Sequence, residues 1–297
     1  MNHQRNALFK IICATGVAIV AIGYIATLRI VDGSLYRNPM ILDHPAIGVI
    51  LAIISLPMLW WIFAGLKPEE LPDIEVEDPK RELMDLGILL VLMFPGTGLA
   101  FAVLPRFGCP EIVPAILQGW TYGGLPILYV AIKRHSLDEG LADLGFFGKK
   151  YIWKDLGIAL IFALLSVTII EPFNQLVFNL TGFSGVPPSQ AQPLLSVLIV
   201  TSISMSQNIT WNGLMQNRVE RAFDYSLKGF IVFLIMMNIL LQIYFEPKSD
   251  FMSFIRAAPG NTVGLIICCT LFRKTRRIAT PAFWHWFANL LGMMPQI

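Results

Sequence analysis

The chain has 297 residues, of which 55% are apolar and 14% are charged, and its mean hydropathy is +0.64. Soluble domains carry about 25% charged residues, so this composition argues against an ordinary soluble domain. The net charge of +2, with no basic stripe interleaved with aromatic residues, argues against nucleic-acid binding. The composition predicts an all-α protein, a polytopic bundle of transmembrane helices.

Apolar stretches of about 20 residues, the length of a membrane-spanning helix, recur along the whole chain. We predict nine spans, at residues 8–30, 45–66, 86–105, 112–132, 156–178, 194–215, 227–245, 261–272 and 279–295. Eight is an alternative count, because the eighth stretch is short and Gly123, Gly124 and Pro126 interrupt the fourth. The first span is expected to be retained, since no small-residue cleavage site follows it.

The basic residues predict the orientation in the cell membrane. Alternate connecting segments, starting with the N-terminal one, hold 17 of the 22 Lys and Arg residues. By the positive-inside rule these segments and the N-terminus are cytoplasmic. The charged segment 67–85 is interpreted as an acidic cytoplasmic linker between an N-terminal helical pair, residues 1–66, and a helical bundle, residues 86–297.

Three polar pairs interrupt the apolar stretches, and the i,i+4 spacing of each places both side chains on one helix face. The pairs are Asn208 with Asn212, Asn238 with Gln242, and His285 with Asn289, and Gln207 precedes the first pair. Polar side chains within apolar spans usually face a protein interior or a wet cavity, so the pairs predict one buried site. The alternative is that the amides only join neighbouring helices by hydrogen bonds.

Two segments resemble the CPBP family, the CAAX-protease and bacteriocin-processing (Abi-type) intramembrane peptidases. The run LADLGFFGKKYIWKDLGIAL, residues 141–160, resembles a segment that recurs in that family. The continuation of the family's first motif is matched in register by Trp211, Gly213, Gln216, Arg218, Glu220 and Phe223. His285 and Asn289 resemble its third motif. The resemblance covers about residues 130–295 and implies a CPBP-like helical core.

The departures from the family pattern fall on its catalytic positions. In this register Gln207 and Asn208 replace the two family glutamates, and Asn212 replaces the arginine. Asn238 and Gln242 stand where the second motif has phenylalanine and histidine. No histidine lies between positions 135 and 285, so no other register restores the second-motif histidine. The resemblance therefore implies a site that keeps its polarity and loses most of its titrating groups.

These substitutions remove the family's hydrolytic chemistry. An amide cannot act as a general base at neutral pH, and a zinc site needs about three His, Cys or carboxylate ligands. The four cysteines lack metal-binding spacing, so we expect neither a metal nor a cofactor. One alternative is relocated catalysis, with Glu171 or His285 as the base, since acids within spans are functional candidates.

The sequence therefore predicts a catalytically degenerate intramembrane protease homologue, a pseudoprotease. Its expected partners are the lipid bilayer and a membrane protein or peptide, because amide groups can pair with a peptide backbone. An active CPBP endopeptidase with a non-standard site is the main rival. A small-solute transporter is a weaker alternative, since inverted repeats and paired broken helices are not evident.

Overall fold

The computed structural model describes residues 28–31, 34–37, 45–66, 78–110, 112–146, 149–181, 204–240 and 251–293, with isolated residues near 15–18 and 201–202. Within these ranges the chain is helical apart from one small hairpin, which confirms the predicted all-α class there. None of the helices in the described ranges is both long enough and apolar enough to cross a membrane.

The elements follow in chain order. The first half contains β1 (Leu28–Val31), β2 (Ser34–Arg37), α1 (Pro45–Gly65), α2 (Pro79–Val103), a 3₁₀ turn (Leu104–Phe107), α3 (Ile112–Gly119), the π-helix π1 (Trp120–Gly124), α4 (Leu125–Arg134) and α5 (Leu137–Asp143). The second half contains a 3₁₀ turn (Lys149–Tyr151), α6 (Ile152–Thr181), the π-helix π2 (Ile209–Gln216), α7 (Asn217–Ala222), α8 (Leu227–Leu240), α9 (Phe251–Thr275) and α10 (Ala279–Met293).

The hairpin corrects the predicted end of the first span. That span extended to residue 30, but β1 pairs antiparallel with β2, and Val31 lies opposite Ser34. The two intervening residues are Asp32 and Gly33, a dipeptide that favours tight hairpins between β-prone segments. The apolar character of residues 28–31 therefore belongs to a strand. Most of the remaining first span lies outside the described residues.

The two uncertain spans are both helical in the structure. The fourth, residues 112–132, continues from α3 through π1 into α4, so Gly123 and Gly124 widen the helix without ending it. The eighth, residues 261–272, forms the second half of the 25-residue helix α9. The short apolar stretch is therefore part of a much longer helix.

Two apolar cores lie on either side of α9. The first joins α1, α6, α9 and α10 around Phe162, and it includes Cys268. The second joins α2, α4, π2, α8 and α9 around Leu214, and it includes Cys269. The adjacent cysteines thus face different cores, and π2 lies beside the boundary between them. This arrangement brings the polar residues near π2 against both α9 and α10.

Two glycines allow close backbone approach at one end of the bundle. A Cβ at Gly213 in π2 would lie 2.7 Å from the carbonyl oxygen of Leu144, so only glycine fits without movement. Gly145 has φ +91°, and a Cβ there would lie 2.8 Å from the carbonyl oxygen of Arg276. The turn after α5 is thereby held against both π2 and the segment that leads into α10.

Candidate functional site

Asn208, the residue before π2, lies at the centre of a buried polar network. Its Nδ2 donates to the carbonyl oxygen of Ser204 at 2.6 Å and lies 2.9 Å from Nδ1 of His285. Its Oδ1 accepts from the thiol of Cys268 at 3.0 Å. The side chain is fully buried, and these bonds use both ends of its amide. Of the three polar pairs predicted to form one buried site, the structure brings the first and the third into contact here.

The network determines which nitrogen of His285 carries the proton. A carbonyl oxygen only accepts, so the Asn208 atom facing Ser204 must be Nδ2. The same Nδ2 faces Nδ1 of His285, which must then accept, and the proton of the neutral ring is on Nε2. A proton on Nδ1 would place two donors face to face. Trp211 stacks on the ring at a centroid distance of 6.0 Å.

The polar side chains continue along π2 at a spacing of four residues. Asn212 Nδ2 donates to Gln216 Oε1 at 2.7 Å, and Gln216 Nε2 donates to Glu220 Oε1 at 2.6 Å. Gln216 also donates to the carbonyl oxygen of Cys269 at 2.9 Å. We refer to Asn208, Asn212 and Gln216, with His285 and Cys268, as the amide chain. The Cys268 thiol also lies 3.4 Å from Oδ1 of Asn212, so the amide chain links the half-buried imidazole to Glu220 through neutral groups.

The wide turns of π2 contribute to the packing around the amide chain. π-Helical segments are rare and are often found at functional sites. In π2 the hydroxyl of Thr210 donates at 2.5 Å to the carbonyl oxygen of Tyr122, which lies in π1. The two π-helices are therefore joined directly by a side-chain to backbone bond. This contact fixes the position of π2 relative to α3 and α4.

Asn289 and Gln207 also lie at this site. Asn289 Nδ2 donates to the hydroxyl of Ser204 at 2.9 Å, and Ser204 in turn accepts from Asn208 through its carbonyl oxygen. Gln207 is buried beside Asn208. Five of the predicted residues, Gln207, Asn208, Asn212, His285 and Asn289, thus lie around the start of π2.

The second polar pair has a different environment. Asn238 in α8 donates to the hydroxyl of Thr262 in α9 at 2.6 Å, an interhelical bond that does not involve the amide chain. This contact fits the alternative that an amide only joins two helices. Gln242 lies outside the described residues. Glu171 lies in α6, but its side chain is outside the part of the chain that the structure describes.

A buried ion cluster lies next to the far end of the amide chain. The side chains of Asp143 and Arg218 are both fully buried, and Arg218 Nη2 lies 3.0 Å from Asp143 Oδ2. Arg221 contacts the other oxygen of Asp143 at 2.5 Å and Glu82 at 2.9 Å. Arg134 contacts both carboxylates at 3.0 and 2.8 Å. These five residues, the ion cluster, join α2, α4, α5 and α7.

The carboxyls of Asp143 and Glu220 have pKa values shifted in opposite directions. Burial alone would raise the pKa of Asp143, but the positive charges of Arg218, Arg221 and Arg134 together hold it below its usual value. Burial raises the pKa of Glu220, and the hydrogen bond from Gln216 and the charges of Arg276 and Arg273 only partly oppose it. Both groups lie outside the predicted spans.

An apolar cavity of about 620 Å³ lies beside the amide chain. Its apolar walls come from α5, the helix before π2, π2 itself and α10, and they include Leu141, Phe146, Met205, Ile209, Ala282 and Phe283. Met205 and Ile209 flank Asn208 in sequence, and Ala282 and Phe283 precede His285. The cavity volume is typical of a site for a small molecule.

The chemistry of the amide chain is that of neutral donors and acceptors. No carboxylate touches His285 or Asn208 among the described residues, and no group of three His, Cys, Asp or Glu residues there could hold a metal ion. Glu220, the carboxylate that the chain reaches, is bound by Gln216 and Arg273. The arrangement can donate to and accept from a polar ligand, but it presents no carboxylate base beside the imidazole.

Sequence reasoning missed several members of this network. It followed the four-residue spacing from Asn208 to Asn212, but the same spacing continues to Gln216 and Glu220. It considered the cysteines only as metal ligands, whereas the Cys268 thiol donates to Asn208. The extended spacing was a signal present in the sequence. The thiol contact was not, because it depends on which residue of α9 faces π2.

Comparison of the chain with protein-family models, curated proteins and solved structures gives no match. The resemblance to the CPBP family therefore stays a prediction. The residues matched in that resemblance nevertheless have structural roles in this fold. Gly213 allows close packing, Gln216 and Glu220 extend the amide chain, and Arg218 is buried against Asp143.

Proposed function

We propose that this protein is an integral membrane protein with a CPBP-like core that binds a membrane protein or peptide and does not cleave it. The observation that carries the proposal is the 2.9 Å contact between Asn208 and Nδ1 of His285. In an active peptidase of this kind the imidazole would work beside a carboxylate. Here it lies beside an amide that has no useful basicity.

The protonation of His285 supports binding over hydrolysis. Because Nδ1 accepts from Asn208, the ring presents Nε2–H as a donor, which suits a backbone carbonyl group of a bound segment. Deprotonating a water would require a free basic nitrogen, and Nδ1 is already occupied by the amide. The proposed role of His285 is therefore to hold a peptide carbonyl.

Exposed apolar side chains support the membrane location. Trp60 in α1 is 76% exposed and Val91 in α2 is 70% exposed, and many other large apolar side chains are also exposed. Extended apolar surface of this kind marks contact with lipid or another protein. The described salt bridges all join segments that the positive-inside rule predicts on the cytoplasmic side, including residues 82–85, 133–155, 218–221 and 273–277.

The membrane location can be tested by labelling native Cys109, which lies in a segment predicted outside, with a membrane-impermeant maleimide in intact cells. Labelling of Cys109 is expected. A Lys150→Cys variant in a Cys109→Ser background is expected to be labelled only after the cells are opened. Reversed labelling, or release of the protein by alkaline carbonate, would contradict the proposed location and orientation.

Peptide binding and cleavage can be measured in one sample of purified protein, with prenylated and leader-type peptides carrying a photocrosslinker. We expect crosslinking without cleavage products, and loss of crosslinking in His285→Ala. The matched control is Asn238→Ala, which removes a polar side chain bonded to Thr262 outside the amide chain. Turnover that His285→Ala abolishes would instead establish an active endopeptidase with a non-standard site.

A further inference from the structure

The apolar cavity beside π2 carries one exposed charge at its opening. Its charged lining residues are Asp138, Asp155 and Arg277. Asp155 and Arg277 are buried and compensate each other, because Nε of Arg277 donates to both carboxylate oxygens of Asp155, at 2.8 and 2.9 Å. Asp138 is exposed in the first turn of α5, and within the described part of the chain its carboxylate has no ion-pair partner. The lining therefore offers a ligand one negative charge.

Two lysines lie near the cavity but do not form its wall. The Nζ atoms of Lys150 and Lys154 are 4.9 and 6.0 Å from the ring centroid of Tyr151, and neither residue lines the cavity. Each takes part in a further interaction. Both are exposed, so solvent and salt screen their charges from a ligand at the opening. Asp138 is therefore the exposed charge that such a ligand can contact directly.

The apolar walls continue along the helix faces that carry the centre of the amide chain. Met205 lines the cavity three residues before Asn208, and Ala282 lines it three residues before His285. Residues three apart lie on the same helix face, and three residues span about 4.5 Å along the axis. A peptide whose carbonyl group is held by His285 would therefore place a neighbouring side chain in the cavity.

The opening of the cavity belongs to the predicted cytoplasmic end of the bundle. Asp138 lies in the segment 133–155 and Arg277 lies in the segment 273–277, both of which the positive-inside rule predicts to be cytoplasmic. The cytoplasmic ends of transmembrane segments in general are rich in Lys and Arg. A transmembrane segment that enters from the membrane would therefore bring apolar side chains to the walls and a basic side chain to Asp138.

We propose that the cavity receives the cytoplasmic end of a transmembrane segment of the partner protein. A large apolar side chain packs against Ile209 and Phe283, and a Lys or Arg side chain pairs with Asp138. The site depends on the peptide binding in the proposed function and gives that partner a chemical class. The cavity volume of about 620 Å³ accommodates a large apolar group. Such buried anchors supply much of the affinity in protein interfaces.

Binding can be measured by fluorescence anisotropy with the purified full chain in a neutral detergent. The labelled peptide is an apolar helical segment that ends in Phe-Lys, as a model of a cytoplasmic end. Replacing its Phe with Ala should weaken binding about tenfold, because the apolar anchor is lost. Replacing its Lys with Gln should weaken binding about threefold, as expected for an exposed ion pair. A photocrosslinking analogue of the Phe should react with the cavity wall, at Met205, Ile209 or Phe283.

Two neighbouring acids of α5 provide a matched pair of variants. Asp138 and Glu139 are both exposed in its first turn, but only Asp138 lines the cavity. Asp138→Asn should remove the threefold preference for the Lys peptide over the Gln peptide, whereas Glu139→Gln should keep it. Asp138→Lys should reverse the preference, so that a peptide with Glu in place of Lys binds more tightly. Substitutions at exposed positions of this kind usually keep the fold.

A preference for Lys that survives Asp138→Asn would overturn the proposal, as would an equal loss in Glu139→Gln. Equal binding of the Phe and Ala peptides, or crosslinks outside the cavity wall, would overturn it too. If the peptide still crosslinks in a way that His285→Ala abolishes while these results fail, only the cavity assignment is wrong. If no peptide crosslinks in this way, the proposed function fails and the cavity assignment fails with it.

Discussion

The amide chain and the ion cluster both contain side chains from residues 208–221, but they handle buried polarity in opposite ways. The amide chain uses neutral groups joined by hydrogen bonds, with three such bonds at Asn208 and three at Gln216. The ion cluster uses five charged groups, two of them fully buried. Neutral groups are cheaper to bury, whereas buried charges depend strongly on their partners. The comparison separates a region suited to ligand contact from a region that holds the fold together.

The largest expected effect comes from breaking the ion cluster. Asp143→Asn keeps the side-chain shape but leaves the buried Arg218 without its carboxylate, and we expect it to lower the free energy of unfolding by about 3–5 kcal/mol. The control is Asp85→Asn, which removes a partly exposed partner of Lys133 and should cost less than about 1 kcal/mol. Chemical unfolding in detergent measures both. Equal losses of unfolding free energy in the two variants would contradict the expectation that the buried ion pairs stabilise the fold more than the partly exposed pair does.

A smaller effect is expected in the amide chain. Asn208→Leu is similar in size, but it leaves Nδ1 of His285 and the Cys268 thiol without their partner, at a cost of about 1–3 kcal/mol. Asn238→Leu, the control, breaks one interhelical bond to Thr262, which is worth about 0.6 kcal/mol on average. If Asn238→Leu is the more destabilising variant in the same unfolding assay, the claim that Asn208 is the central residue of the buried network is contradicted.

The smallest effects are pH-dependent, and they have opposite signs for Asp143 in the ion cluster and for Glu220, the carboxyl that the amide chain reaches. Because the pKa of Asp143 is lowered in the fold, its contribution to stability is present above its unfolded pKa and is lost as the pH falls through the folded pKa. Because the pKa of Glu220 is raised, its contribution is present below its unfolded pKa and is lost as the pH rises through the folded pKa.

Thermal unfolding across pH should therefore separate two variants. The deficit of Asp143→Asn relative to the unsubstituted protein should shrink on acidification. The unfolding temperature of Glu220→Gln, relative to that of the unsubstituted protein, should be highest at higher pH, because burying the ionised Glu220 is costly there. If the unfolding temperatures of both variants depend on pH in the same way, the opposite pKa shifts of Asp143 and Glu220 are contradicted.

Part of this site could be predicted from the sequence. The i,i+4 spacing within apolar stretches predicted one buried site, and in the structure Asn208 contacts His285 while Asn289 bonds to Ser204. The pattern could not show which helix is adjacent to which. Asn238 has the same kind of spacing, yet it bonds to Thr262 and not to the amide chain.

Other features were beyond sequence reasoning for physical reasons. An amphipathic pattern does not distinguish an α-helix from the wider π2, because the choice depends on tertiary contacts such as the bond from Thr210 to Tyr122. The ion cluster joins residues as distant as Glu82 and Arg221, which no local pattern relates. The basic-residue asymmetry predicts that both segments lie on one side of the membrane, but it does not predict which of their residues pair.

The central claim is that the scaffold of a peptidase site remains while its proton chemistry is lost. The most direct measurement is peptide cleavage by the variant carrying Gln207→Glu, Asn208→Glu, Asn212→Arg and Gln242→His. We expect the restored protein to cleave a prenylated or leader-type peptide that the unsubstituted protein only binds. A restored protein that folds and binds the peptide but leaves it intact would contradict the claim, as would cleavage by the unsubstituted chain.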